Sequence, residues 1–282
     1  MTASDSADVD AIVSRLRAAG CVFAEDEARL IVAEAADDDQ LQSFVARRVS
    51  GEPLEYVVGW AEFCGLRVAV APGVFVPRTR TGLLVREAIR VAPHAPVVLD
   101  LCCGAGAIGA AVLARRPDAT IHACDIDPVA TDCARRTLDA VVTHRRAADN
   151  GDEGAPIDDP STAPHVYTGD LYAPLPSALR GTVDLIVANA PYVPTDEIRL
   201  MPPEAREHEA LATLDGGEDG LELQRRVAQG AREWLAPHGH LLIETSRRQA
   251  SATAGILESA GFSVSITRDD DVDGTVAVGV LR

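Results

Sequence analysis

Three short runs of apolar residues at helical spacing open the chain: Val9, Ile12, Val13 and Leu16, then Leu30 and Ile31 with Glu34 in step, then Leu41, Phe44, Val45 and Val49. Residues three and four apart share one face of a helix, so each run predicts a short amphipathic helix. Asp37, Asp38 and Asp39 supply a helix cap and a solvated turn, and no metal site is expected there. Near Trp60 the period changes. Extended stretches at 62–64 and 66–70, broken at Pro72 and Gly73, predict a β-hairpin or short ribbon within residues 60–76.

From Leu83 onward the pattern alternates between strand and helix. Apolar runs at 97–101, 120–124, 183–187 and 240–244 predict buried strands, with a short strand around Val166. Helical patterns fall at 107–115, 128–141, 221–235 and 250–260, and strands at 262–267 and 275–280 close the chain. This is an α/β arrangement: an open, mainly parallel sheet with helices on both faces. Residues 145–164 break the rhythm. They are rich in Asp, Ala, Gly and Pro and poor in large apolar residues, which predicts a flexible insertion.

Composition narrows the class. The 282 residues are 47% hydrophobic and 24% charged, with no apolar run long enough to cross a bilayer. Met1 to Asp5 lacks the basic start and apolar stretch of a signal peptide, so a cytoplasmic location is expected. Six cysteines (Cys21, Cys64, Cys102, Cys103, Cys124, Cys133) show no metal-ligand spacing and read as reduced thiols. The formal net charge is −17, and every basic residue is arginine. Phosphate neutralisation supplies much of the affinity for nucleic acid, so this charge argues against that partner and suits a basic protein.

After the first strand of the alternating region the chain reads Asp100-Leu101-Cys102-Cys103-Gly104-Ala105-Gly106-Ala107-Ile108-Gly109. Small residues let the backbone turn tightly against a ligand at the helix start. Asp100, Cys102, Gly104 and Gly106 are the expected cofactor contacts, although dinucleotide-binding proteins share this spacing. Asp125, ending the next strand, can accept from both hydroxyls of an adenosine ribose, which NAD and S-adenosylmethionine both carry. Asp127, just before Pro128, better suits a helix cap. Asp170 stands at a third strand end, where an acid can accept from an adenine amino group. An aspartate after a glycine also makes an ordinary turn.

Asn189-Ala190-Pro191-Tyr192 follows the next strand. The Asn189 side-chain carbonyl and the Ala190 backbone carbonyl, held extended by Pro191, can accept both hydrogens of one –NH2 group, and Tyr192 can stack on the flat group bearing it. An amide or aryl nitrogen is a poor nucleophile because its lone pair is delocalised. Holding its hydrogens aims it at an electrophilic methyl and stabilises the positive charge that develops. Asn and Pro also favour a plain turn.

Taken together these segments resemble the HemK/PrmC class of protein-(glutamine-N5) methyltransferases. The resemblance includes 52–59 (Glu-Pro-Leu-Glu-Tyr-Val-Val-Gly), Glu62-Phe63, Gly65-Leu66 and 72–78 (Pro-Gly-Val-Phe-Val-Pro-Arg). It continues through the glycine loop, 189–192, Glu209-Ala210, 214–217, 219–221, Glu244 and Gln249. It implies a Rossmann-like class I methyltransferase domain at 81–282, a helical substrate-recognition domain at 1–57 and a hairpin linker at 58–80. It further implies S-adenosylmethionine as donor, with S-adenosylhomocysteine as product. The implied acceptor is the glutamine of the Gly-Gly-Gln loop of a peptide-chain release factor. Asn189, which also borders the cofactor, and Ala190, Pro191 and Tyr192 would grip the amide. Phe75, Pro77 and Arg78 would line the substrate side, Arg78 serving equally well as an ion-pair partner. Two departures stand out: the family's Asn-Pro-Pro-Tyr has Ala190 in place of its first proline, and its Pro-Arg-x-x-Thr-Glu ends here in Thr81-Gly82. Both point to a divergent paralogue. Competing readings are N-methylation of an exocyclic amine in nucleic acid, a nicotinamide-dependent dehydrogenase, and a non-catalytic cofactor-binding protein.

Overall fold

A computed structural model describes residues 3–149 and 163–282. The three helical runs form α1 (Ala3–Ala18), α2 (Ala24–Glu34) and α3 (Asp38–Val49), and α4 (Leu54–Val58) follows. Their apolar faces close on a small core that includes Ile12, Leu16, Ile31, Phe44, Val45 and Val57. Asp37 caps α3, accepting from Gln40 N at 2.8 Å. Arg47 joins α3 to α4 through the Tyr56 carbonyl (2.9 Å) and the Glu52 carboxylate.

The hairpin is β1 (Trp60–Phe63) and β2 (Leu66–Ala69), antiparallel with Trp60 opposite Ala69. Its turn lies at Cys64 and Gly65, both at positive φ (54° and 83°), the backbone of a two-residue hairpin turn. Residues 70–76 carry no further strand. Phe63, Val68 and Val70 join Leu83, Ile108 and Leu138 in one core, so the hairpin packs onto the α/β body.

That body is a seven-stranded sheet of β3 (Val97–Leu101), β4 (Thr120–Asp125), β5 (His165–Thr168), β6 (Val183–Ala188), β7 (Leu235–Glu244), β8 (Phe262–Asp269) and β9 (Gly274–Leu281). The spatial order is β5-β4-β3-β6-β7-β9-β8, with β3 to β7 parallel and β9 antiparallel to both neighbours. Helices α5 (Gly82–Val91), α6 (Ala107–Arg115) and α7 (Pro128–Asp149) contribute to the core on one face; after a short α8 (Pro203–His208), α9 (Glu222–Trp234) and α10 (Ala250–Ser259) contribute to that on the other. Strand side chains alternate between the two cores: Leu185 and Val187 of β6 point one way, Ile186 and Ala188 the other. Burial on both faces is why the central strands β3 and β6 are apolar but for one aspartate each.

The expected helix at 128–141 continues to Asp149, so the first residues of the supposed insertion are helical. Arg145, Arg146, Ala147 and Ala148 are good helix formers, and Arg145 reaches the Pro117 carbonyl at 3.1 Å. Low hydrophobicity was the wrong guide there. Residues 150–162 of that insertion lie outside the described residues. No helix among the described residues is long and apolar enough to cross a membrane.

Candidate active site

Chain order gives the site its place. From β3 the chain runs outward through β4 to β5, then returns to lay β6 on the other side of β3. This reversal leaves a crevice beyond the carboxyl ends of β3 and β6, where open α/β sheets bind ligands. Register aligns the strand ends: Leu101 pairs with Cys124 and with Ala188, Asp125 with Thr168, and Ala188 with Ile243. Cys102, Asp125, Gly169, Asn189 and Glu244 therefore emerge along one edge. A cavity of 720 Å³ opens there, within the ~300–1,000 Å³ usual for small-molecule sites.

At one end the glycine loop forms the wall. Asp125 braces it, Oδ2 accepting from Gly104 N at 2.8 Å and Oδ1 from Asp127 N at 3.0 Å. A carboxylate has about four lone-pair positions, so both oxygens can still accept from a ligand. Burial pushes the Asp125 carboxyl up, and those backbone N–H groups act against it. Gly104 has φ 51° and a Cβ there would meet open space. Cys102 has φ 54°, a left-handed backbone uncommon for a residue with a side chain. Its thiol is pushed well up by burial and stays protonated. Asp127 Oδ1 accepts from Val129 N at 2.8 Å, the geometry of a cap on α7.

At the other end the chain after β6 lies under the segment 209–220. Val193 N donates to the Leu214 carbonyl at 3.1 Å, and Gly216 N to the Val193 carbonyl at 2.9 Å. Asn189, Ala190, Pro191 and Tyr192 all border the cavity, as do Phe75, Pro77 and Arg78 of the linker. Arg78 pairs with Glu209, whose side chain is almost fully buried, and stacks over Phe75 at 5.2 Å. Beside Tyr192 lies Glu244, which accepts from the Tyr192 hydroxyl at 3.5 Å and pairs with Arg80 Nε at 3.4 Å. Burial, followed by the Glu244 charge, pushes the Tyr192 phenol up to about 12, so it stays neutral.

The Methyltransferase small domain family matches residues 65–202, which hold β2, the glycine loop and Asn189 to Tyr192. A release factor glutamine methyltransferase of Geobacter sulfurreducens is 37% identical over 81% of this chain and 73% of its own length. The chain belongs to the release factor glutamine methyltransferase family. It is an S-adenosylmethionine-dependent N-methyltransferase. A relative from Streptomyces pristinaespiralis, 33% identical over 77% of this chain and 69% of its own, is a 4-amino-L-phenylalanine/4-methylamino-L-phenylalanine methyltransferase. A Pyrococcus furiosus methyltransferase of known structure shares the fold (TM-score 0.53, 16% identity, 83% of this chain and 95% of that one).

The methyltransferase cavity collects most of the expected residues but not all. Cys102, Gly104, Asp125 and Asp170 border it, whereas Asp100 and Gly106 do not. Asp100 is fully buried behind the loop, Oδ2 accepting from Gly109 N at 2.9 Å. Gly106 is needed for packing, since a Cβ there would sit 3.0 Å from the Cα of Ala134 on α7. Asp170 is exposed at the rim and paired with Arg226 at 2.6 Å. The loop, the braced carboxylate and the open space over Gly104 fit an adenosyl cofactor. Gly82 does not border the cavity; a Cβ there would face Cys64 Sγ at 3.6 Å, so losing the family's acid leaves the cavity wall intact.

Sequence reasoning passed over Arg80 and assigned no role to Thr81 or Glu244. Glu244 carried a signal, being an acid at a buried strand end and part of the resemblance. For Arg80 the only hint was its nearness to Arg78.

Proposed function

We propose that this methyltransferase acts in the cytoplasm on the side-chain amide nitrogen of the glutamine in the Gly-Gly-Gln loop of a peptide-chain release factor. The observation that carries this reading is the pairing of Leu101 with Ala188, which sets Asn189 beside the glycine loop. Asn189 and the Ala190 carbonyl would accept the two hydrogens of the amide, with Tyr192 packed on its plane. Bound S-adenosylmethionine supplies a methyl group made electrophilic by its sulfonium. The two acceptors would align the amide nitrogen with it and stabilise the charge that would grow as the N–C bond formed and the S–C bond broke, leaving S-adenosylhomocysteine; the nitrogen would then lose one proton to water. No covalent enzyme intermediate is required. Phe75, Pro77 and Arg78 would flank the loop that carries the glutamine. The helices of residues 1–57 would recognise the rest of the partner, for which exposed Val22 and Phe23 offer apolar contact.

The test is transfer of labelled methyl from S-adenosylmethionine to a release factor and to its Gln→Ala loop variant. Label in the first and none in the second is the expected result. Label on 4-amino-L-phenylalanine alone would place the activity with the Streptomyces relative. Preferential labelling of DNA or RNA would overturn the protein acceptor.

A further inference from the structure

Thr81 is buried at 3% exposure and Glu244 at 2%. Their arrangement bears on a problem the proposed reaction poses. An asparagine amide has one accepting and one donating end, and only the accepting end can hold an acceptor's –NH2 group. Turned over, Asn189 would set its own N–H bonds against those of the substrate.

We propose that Thr81 and Glu244 act as a relay that fixes Asn189 with its carbonyl oxygen toward the substrate. Asn189 Nδ2 donates to Thr81 Oγ1 at 3.4 Å. The Thr81 hydroxyl has a single proton, and its interaction with the Glu244 carboxylate favours the charged form of that acid. An ionised carboxylate only accepts, so the Thr81 proton points to Glu244 and its oxygen is left to accept from Asn189. That choice leaves Asn189 Oδ1, which has no protein partner among the described residues, on the cavity side. Burial pushes the Glu244 carboxyl up, and Thr81, Arg80 Nε at 3.4 Å and the Tyr192 hydroxyl at 3.5 Å act against it. One Glu244 oxygen, Oε2, has no hydrogen-bond partner among the described residues, so the carboxylate depends heavily on these neighbours. Thr81 and Glu244 are positioning residues: they act on the substrate only through Asn189.

The inference rests on Asn189 gripping an –NH2 group, so its test needs a reading apart from turnover. In 15N-labelled protein the Asn189 side-chain amide is identified by its loss in Asn189→Asp. Thr81→Val, which keeps size and removes the hydroxyl, should shift that signal and speed its exchange with solvent; Thr81→Ser should preserve it. With release factor as acceptor, Thr81→Val should lower kcat on the order of ten- to a hundredfold, more than KM rises, with cofactor affinity unchanged within about twofold. Thr81→Ser should restore most of the rate. An Asn189 signal indifferent to Thr81→Val, or an equal loss in the serine variant, would overturn the relay. Wild-type protein that labels no release factor would defeat the proposed acceptor instead, while the amide signal would still decide the relay.

Discussion

Gln249 Nε2 donates to the backbone carbonyl of Tyr192 at 2.9 Å, tying the start of α10 to the loop that follows β6. The same nitrogen reaches the Asp219 carbonyl at 3.2 Å, and Ser246 Oγ donates to Gln249 Oε1 at 2.6 Å. One buried amide thus pins two loops of the acceptor end. Gln249→Glu would turn a carboxylate toward two carbonyls. It is expected to destabilise by about 1–3 kcal/mol and to lower transfer, while Gln249→Ala should be milder. Thermal melts beside rate measurements check this; a Glu variant as stable as wild type would remove Gln249 from the role.

Asn189 stands at the acceptor end. Asn189→Ala is expected to lower transfer by about a hundredfold or more, with cofactor affinity within a few-fold of wild type. Calorimetry with S-adenosylmethionine separates the two effects. A large fall in affinity would mean that Asn189 holds the cofactor or the loop.

Asp125 should behave in the opposite way. Its carboxylate braces Gly104 and Asp127 and is proposed to hold the ribose, so Asp125→Ala should weaken S-adenosylmethionine binding by about tenfold or more, the loss of a hydrogen bond to a charged group. Unchanged affinity would take the ribose role away from it.

Arg78 and Glu209 pair across the linker and the segment that covers the acceptor end. Burial pushes the Glu209 carboxyl up, and Arg78 works against that. Arg78→Ala strands the acid and should cost about 2 kcal/mol, whereas Arg78→Ala with Glu209→Gln should cost less than the sum of the two single changes. Additive losses in denaturant melts would mean that the pair is not coupled.

Asp100 gives the stability a pH dependence. Burial, against the opposing Gly109 N–H and with the Asp125 charge adding to it, raises the Asp100 carboxyl from 3.8 to about 7. Between those values the folded chain holds a proton that the unfolded chain releases, so this group makes stability fall as pH rises from about 4 to about 7. Asp100→Asn should flatten that part of the melting-temperature profile. An unaltered slope would show that Asp100 is ionised throughout.

Much of this molecule was legible in its local patterns. The strand at 97–101 matches β3 residue for residue because a run of apolar residues buried on both faces looks the same in sequence and in space. The glycine loop, Asp125 and Asn189 to Tyr192 were legible because each chemistry is carried by adjacent residues. The end of α7 was missed because a polar stretch can be helical without burying much of itself. Arg80, Thr81 and Glu244 were passed over as a group because their meaning lies in contact between β7 and the start of α5, two segments far apart in the chain.

Periodicity and turn chemistry by themselves determined the helical start, the hairpin and the α/β body, and singled out Asp125 and Asn189 to Tyr192, which border one cavity. Tertiary structure alone decided that β6 lies against β3 with Leu101 beside Ala188, that Asp100 and Gly106 stand behind the wall, and that Asn189 meets Thr81. The reason is physical. Helix and strand preferences act over a few residues, whereas strand order, register and the direction of a hydroxyl proton are set by partners that only the folded chain brings together.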